Sequence, residues 1–268
     1  MQYGINLLYR IFAYATKNVM GTITSVNTQE PVAALTFDDG PHPEFTPRLL
    51  DILERHDARG TFFMLGTMAQ KHPEVVRRAA EGGHAVCNHS WDHPSFPLIP
   101  RRERVKQIRA CAKALEPYEH QLFRPPYGHQ TLASSIDTLR LGYQIVGWNL
   151  IGKDWLDFSP EWMANRVISQ IQPGCIINFH DALYTAIEDR YANREPMLAA
   201  MALILGHLSE QYRFVTVPEL LRYGRPHKRH HHSVAATDFL NNLKAQEGGA
   251  WRYGQEGSAV RSENRMLQ

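Results

Sequence analysis

At 268 residues the chain can bury a full core as one large domain without staples. Hydrophobic content of 43% and charged content of 21% are globular values, and a formal net charge of +2 gives no case for a nucleic-acid partner. Three widely spaced cysteines, Cys87, Cys111 and Cys175, argue against a disulfide framework and suit a reducing compartment.

The first 30 residues read as a helix and linker. Apolar Leu7, Leu8, Ile11, Phe12 and Ala15 recur near the helical period, but Asn6 and Arg10 interrupt them and no basic head precedes them. That makes a poor signal peptide and a stretch too polar to span a bilayer. The expectation is an amphipathic helix packed on the domain of a cytoplasmic protein, with peripheral contact to the inner face of the membrane as the alternative.

The apolar run Val32 to Phe37 reads as a buried strand ending in Asp38-Asp39-Gly40-Pro41. Two adjacent carboxylates can divide labour, one holding a metal while the other accepts a proton, because like charges held close push their pKa values apart. A plain Asp-Gly turn is the competing reading. Thr46-Pro47 then predicts a helix start, with Thr46 as N-cap and Leu49, Leu50, Ile52 and Leu53 on the buried side.

A strand over Thr61 to Leu65, a helix opened by Pro73 and closed at Gly82-Gly83, and a strand over His84 to Asn88 continue the alternation. Past that strand, in Asn88-His89-Ser90-Trp91-Asp92-His93-Pro94, two histidines four apart can face one point. With one Asp they make three ligands and leave a position for water, as catalytic metal sites do. Unrelated surface histidines are the bland alternative in a chain that has 14.

A helix from Arg102 to Leu115 precedes a short strand, Leu122 to Arg124, and the segment Phe123-Arg124-Pro125-Pro126-Tyr127-Gly128, whose prolines stiffen the loop. Next are a helix near Leu132 to Leu141, a strand from Tyr143 to Trp148, the cluster Lys153-Asp154-Trp155, and a helix capped by Ser159-Pro160 that stops at Pro173-Gly174. The strand Cys175 to Phe179 emerges into Asn178-Phe179-His180-Asp181. A helix from Pro196 to Tyr212, a strand from Phe214 to Val217 and a helix from Pro218 complete seven strand-helix units.

Such alternation implies an α/β fold with a parallel sheet, and seven units in about 200 residues favour a closed or nearly closed barrel. No GxGxxG follows the first strand, which weakens a dinucleotide-binding alternative. From Arg225 to residue 268 the sequence turns basic and then Gly-rich and polar, and reads as a disordered tail, its run His227 to His232 included. Five polar clusters at five strand ends meet on one face of a barrel.

In order and wording these motifs resemble the polysaccharide deacetylase, or NodB homology, family of carbohydrate esterase type, over residues 31–224. The resemblance implies a distorted (β/α)7 TIM-like barrel, one divalent metal ion, zinc first, and hydrolytic removal of N- or O-acetyl groups from sugars. It further implies Asp38 as catalytic base, Asp39, His89 and His93 as metal ligands, and Arg124 as the residue that orients the base. The Tyr127 backbone N–H would hold the oxyanion, His180 would be the general acid, Asp154 would tune it and Trp155 would wall the site.

Two positions depart from the family pattern. Ile151 stands where the family often has an acid, and Asn178 replaces a leucine that lines the acetyl-methyl pocket, so Asn178 and Phe179 are expected beside the acyl group and leave its identity open. Cys87 reads as an inert buried thiol and Trp148 as core, with Trp155 and Trp162 as sugar-stacking candidates. The expected activity is removal of an N-acetyl group from an amino sugar in an oligosaccharide, polysaccharide or glycolipid. An O-acetyl esterase or deformylase is the rival within the class, and a catalytically silent carbohydrate-binding protein the rival outside it.

Overall fold

The computed structural model describes residues 21–184 and 192–229. Its strands are β1 (Thr22–Asn27), β2 (Val32–Asp38), β3 (Gly60–Met64), β4 (Ala85–Asn88), β5 (Glu119–Phe123), β6 (Gln144–Ile145), β7 (Leu150–Ile151), β8 (Ile176–His180), β9 (Arg213–Phe214) and β10 (Arg225–Arg229). The helices are α1 (Phe45–Arg55), α2 (Gly66–Lys71), α3 (Pro73–Glu81), α4 (Arg101–Leu115), α5 (Leu132–Arg140), α6 (Pro160–Gln170), α7 (Glu195–Leu208) and α8 (Val217–Leu220).

The main sheet runs β6-β5-β4-β3-β2-β8-β7 with every neighbouring pair parallel, and β9 extends the start of β2. Its two edges, β6 and β7, are consecutive in the chain but do not pair with each other. β1 crosses at that gap, where Gly147 N donates to Ile23 O at 2.7 Å and Val26 N to Gly174 O at 2.9 Å. The result is a curled parallel half-barrel, the distorted (β/α)7 architecture that the family resemblance implies.

Alternation along each strand sorts the side chains into two cores. Leu35, Phe37, Phe62, Val86, Ile177 and Phe179 pack outward with the helices, whereas Ala34, Phe63, Cys87, Leu122, Val146 and Ile176 form the inner cluster. Each fully buried Phe among them is worth about 1.5–3 kcal/mol of apolar burial. Since Ala34 points inward, Thr36 and Asp38 do too, and the same parity turns Arg124, Asn178 and His180 inward. A period of two thus carries the polar side chains to the open end of the curl.

Several elements differ from the sequence-based reading. Helix α1 starts one residue before Thr46, because His42 Nδ1 accepts from Glu44 N at 3.1 Å and Phe45 N at 3.2 Å and caps the turn. The Thr46 hydroxyl accepts from His42 N at 2.8 Å and donates to the Asp181 carboxylate instead. The strand expected over Tyr143 to Trp148 shortens to β6, since Val146 and Gly147 engage β1, and β7 follows it as a separate strand. Helix α2 was not anticipated.

The larger correction is at the termini of the folded body. β1 pairs with β10 antiparallel, Thr22 opposite Arg229 and Asn27 opposite Arg225, so the boundaries expected at 30/31 and 224/225 leave both strands of this pair outside the domain although they are part of the folded body. The N-terminal helix read over residues 5–20 and the end of the histidine run, 230–232, lie outside the described residues. Cys87, Cys111 and Cys175 are buried and free. Among the described residues no helix is long and apolar enough to cross a membrane.

Candidate active site

The loops after β2, β4, β5 and β7 hold an unusual backbone. Asp39 (φ 74°), Ser90 (φ 76°), His93 (φ 64°), Tyr127 (φ 58°) and Lys153 (φ 61°) are five of the six non-glycine residues with positive φ among those described. Each such residue costs of order 1–3 kcal/mol, a strain that persists where surrounding contacts over-determine the loop. Here it brings Asp39 and His93 to one point.

That point lies between Asp39, His89 and His93, whose ligand atoms all fall within 4.8 Å of one another. Asp39 Oδ1 is 3.4 Å from His89 Nε2 and 3.2 Å from His93 Nε2, and all three side chains are nearly solvent-free. His89 Nδ1 lies 2.7 Å from Arg124 O, an acceptor, so Nδ1 carries a proton and Nε2 is the nitrogen turned to Asp39. Asp39 Oδ2 accepts from Tyr184 N at 3.1 Å, while Oδ1 has no hydrogen-bond donor. Burial by itself would raise the Asp39 carboxyl, but the adjacent His93 and His89 imidazoles outweigh it and hold the group well below the ordinary carboxylate range.

A buried, ionised carboxylate oxygen without a donor, flanked by two imidazole nitrogens, fits a divalent cation. Two nitrogens and one oxygen are a donor set that suits zinc. Asp92, between the two histidines in sequence, turns away and accepts from Gln107 Nε2 at 2.7 Å.

Asp38 sits beside this trio under a different control. Its Oδ1 accepts from Arg124 Nη1 at 2.7 Å, and the fully buried guanidinium lies 4.0 Å over the Phe63 ring. Arg124 Nε donates to Val146 O at 3.3 Å and Nη2 to Gly147 O at 3.0 Å, so the loop joining β6 to β7 locks the fork. Nη1 also reaches Thr36 Oγ1 at 2.8 Å and Asn178 Oδ1 at 2.6 Å. Desolvation lowers the pKa of Arg124, which the Asp38 charge opposes.

On the other side stands His180, whose Nδ1 meets Asp154 Oδ1 at 3.1 Å while its backbone N donates to Asp154 Oδ2 at 2.9 Å. Arg194 Nη1 donates to Asp154 O at 3.0 Å and to Oδ2 at 3.3 Å, holding that carboxylate from behind. Burial depresses His180, but Asp154 first and then Asp39 and Asp38 overcome it and push its pKa up to about 9. His180 is therefore cationic at neutral pH. Trp155 stands edge-on to it, ring centroids 5.5 Å apart, and the Tyr127 ring lies 4.3 Å from His93.

Ten of the eleven residues singled out in the sequence thus meet at the open end of the curl or, for Asn178, just beneath it on Arg124, and two of the expected placements change. Asn178 turns its amide oxygen to Arg124 rather than standing free beside an acyl group. Phe179 faces the opposite way, into the outer core where its ring fills the space over Gly152, because successive strand residues alternate faces. This leaves Phe179 off the site, together with Trp162, which stacks on Phe158 at 3.7 Å.

Four participants were missed. Thr36 and Arg194 hold Arg124 and Asp154, and Tyr184 both binds Asp39 through its N–H and places its ring 6.4 Å from His93. Asp181 is fully buried against Thr46 and Gly40, its pKa pushed up by burial to about 7. Only Asp181 had a visible signal, its place directly after His180; the others sit in sequence surroundings that mark nothing.

The family model for polysaccharide deacetylase matches residues 25–146. A peptidoglycan-N-acetylglucosamine deacetylase of Bacillus cereus is 36% identical over 203 residues, 74% of this chain and 92% of that protein. A chitooligosaccharide deacetylase of Azorhizobium caulinodans is 32% identical over 197 residues, 70% of this chain and 93% of that one. The crystal structure of a peptidoglycan N-acetylglucosamine deacetylase in complex with 4-naphthalen-1-yl-N-oxidanyl-benzamide superposes with a TM-score of 0.70 at 30% identity, covering 82% of this chain and 99% of that chain.

Proposed function

The chain belongs to the polysaccharide deacetylase family, and from that premise we propose that it is a metal-dependent hydrolase that removes the N-acetyl group from an amino sugar in a poly- or oligosaccharide. The observation that carries the reading is one buried Asp-His-His trio flanked by an arginine-held carboxylate and an aspartate-held cationic histidine. Base and acid are cross-strand neighbours, Asp38 opposite His180 in the β2–β8 register, so both can reach one acyl group.

Asp39, His89 and His93 would hold the ion. A divalent cation there supplies Lewis-acid polarisation of the acyl oxygen and makes water a nucleophile near neutral pH. The chain's own groups do the rest. Asp38, kept in place by Arg124, takes the proton from the attacking water. The Tyr127 backbone, set by its positive φ next to His93, offers its N–H to the oxyanion.

His180 enters protonated and delivers its proton to the departing nitrogen, which would otherwise leave as an amide anion. Asp154 and Arg194 keep the imidazole aimed while it does so. General acid help of this kind is commonly worth about 10²- to 10⁴-fold. The residue that left the acyl group open, Asn178, has its oxygen committed to Arg124, which supports an ordinary acetyl substrate. The intact proton-transfer pair speaks against a silent binding protein.

The test is product analysis on N-acetylglucosamine oligomers. Each turnover should give one acetate and one free amine on the sugar. Release of acetate from O-acetylated sugars alone, with the amides untouched, would replace the amidase reading by the esterase one.

A further inference from the structure

Asn178 is a residue whose setting the family pattern does not explain. It is 1% exposed, lies opposite Thr36 in the β2–β8 register and points into the curl two residues before His180. A guanidinium has donors only, so the atom 2.6 Å from Arg124 Nη1 must be the amide oxygen. Its orientation is fixed by its neighbour's chemistry.

Arg124 Nη1 has two hydrogens and meets three oxygens, those of Asp38, Thr36 and Asn178, at 2.7, 2.8 and 2.6 Å. The Thr36 hydroxyl gives its own proton to Ile177 O at 2.8 Å, so its lone pair is free to accept from the arginine. Two neutral oxygens from neighbouring strands thereby share the guanidinium with the base. With an apolar side chain at 178, Nη1 would keep two partners and the guanidinium could tilt toward Asp38 within the hold of the Val146 and Gly147 carbonyls.

We propose that Asn178 is a positioning residue of this active site: it acts through Arg124, fixing the plane of the guanidinium and with it the direction in which Asp38 presents its free oxygen to water. This rests on the deacetylase reading above for its kinetic consequence, though not for the contact itself. Effects carried by one shared partner are non-additive, which separates positioning from lining a pocket.

The experiment is a double-mutant cycle of Asn178→Leu and Arg124→Lys, the lysine keeping the charge while losing the fork. Asn178→Leu alone should lower kcat about tenfold with KM within about twofold, the cost of one charge-assisted hydrogen bond. In the Arg124→Lys background the same change should cost less than about threefold. A full tenfold loss in both backgrounds, an effect confined to KM, or no effect would each overturn the proposal.

Zinc stoichiometry and the thermal midpoint check that the variants are folded, and Asn178→Ala, which opens space instead of filling it, carries the same expectation. Read by urea midpoints in metal-free protein, the cycle needs no turnover. Additive midpoint shifts would refute the contact itself, whereas wild-type protein inert on every acylated sugar would refute the deacetylase reading and leave the midpoint result to stand or fall separately.

Discussion

Replacing Asp154 by asparagine should remove the alkaline half of the activity. On the proposed mechanism His180 must be protonated to act, so activity should be present below its pKa of about 9 and lost above it. Burial alone pulls that pKa down, and Asp154 is the foremost group pulling it up, through its charge and its hydrogen bond to Nδ1. A cation bound at Asp39 would cancel that residue's smaller help but leave the contribution of Asp154.

In Asp154→Asn the imidazole should fall to its ordinary ~6.5 or below, a drop of about 2.5 units or roughly 3.4 kcal/mol. At pH 8 the protonated fraction then goes from about 90% to about 3%, a loss of ~30-fold that shrinks to little at pH 5.5. The assay is kcat/KM for acetate release from pH 5 to 10. The folded protein shows the same group: a raised His180 pKa adds stability that is fully present below about 6.5 and fades as pH rises through about 9. An alkaline limb that stays where it was in the variant would refute His180 as an acid tuned by Asp154.

Asp38→Asn keeps an oxygen for Arg124 but cannot take a proton, so it should bind zinc normally and lose at least about 10²-fold in kcat; a rate within tenfold of wild type contradicts the base assignment. In Gly40→Ala the new methyl would run into the Asp181 carboxylate beside the ligand loop, costing about 1–3 kcal/mol, seen as a lower thermal midpoint; an unchanged midpoint means the loop is looser than described. Ending the chain at Gly224 removes β10 and strips β1 of its partner, and should lower the midpoint by several degrees, about 2–4 °C per kcal/mol lost. An unaltered midpoint would make the strand pair dispensable.

How much could be read in advance follows from which interactions are local. The strand ends that carry Asp38, His89, Arg124 and His180 are legible because apolar runs stop abruptly at ionisable residues, and a barrel brings such ends together. Phe179 was misplaced although the period of two that turns it outward was already visible in its neighbours. Asn178 could not be placed, since its partner is 54 positions away in sequence. Composition hid β10, whose Arg-Pro-His-Lys-Arg reads as tail and becomes a strand only because β1 offers it a free edge. Thr46 looked like a cap for local reasons and lost that role to His42 once Asp181 arrived from β8.

The central claim is that Asp39, His89 and His93 hold a divalent ion on which acetyl removal depends. The direct measurement is acetate release from N-acetylglucosamine oligomers by metal-stripped protein, before and after one equivalent of zinc, with Asp39→Ala alongside. The account predicts no release without metal, restored release with about one bound zinc per chain, and neither binding nor release in the variant. Equal release by the stripped protein, or full activity in Asp39→Ala, would contradict it.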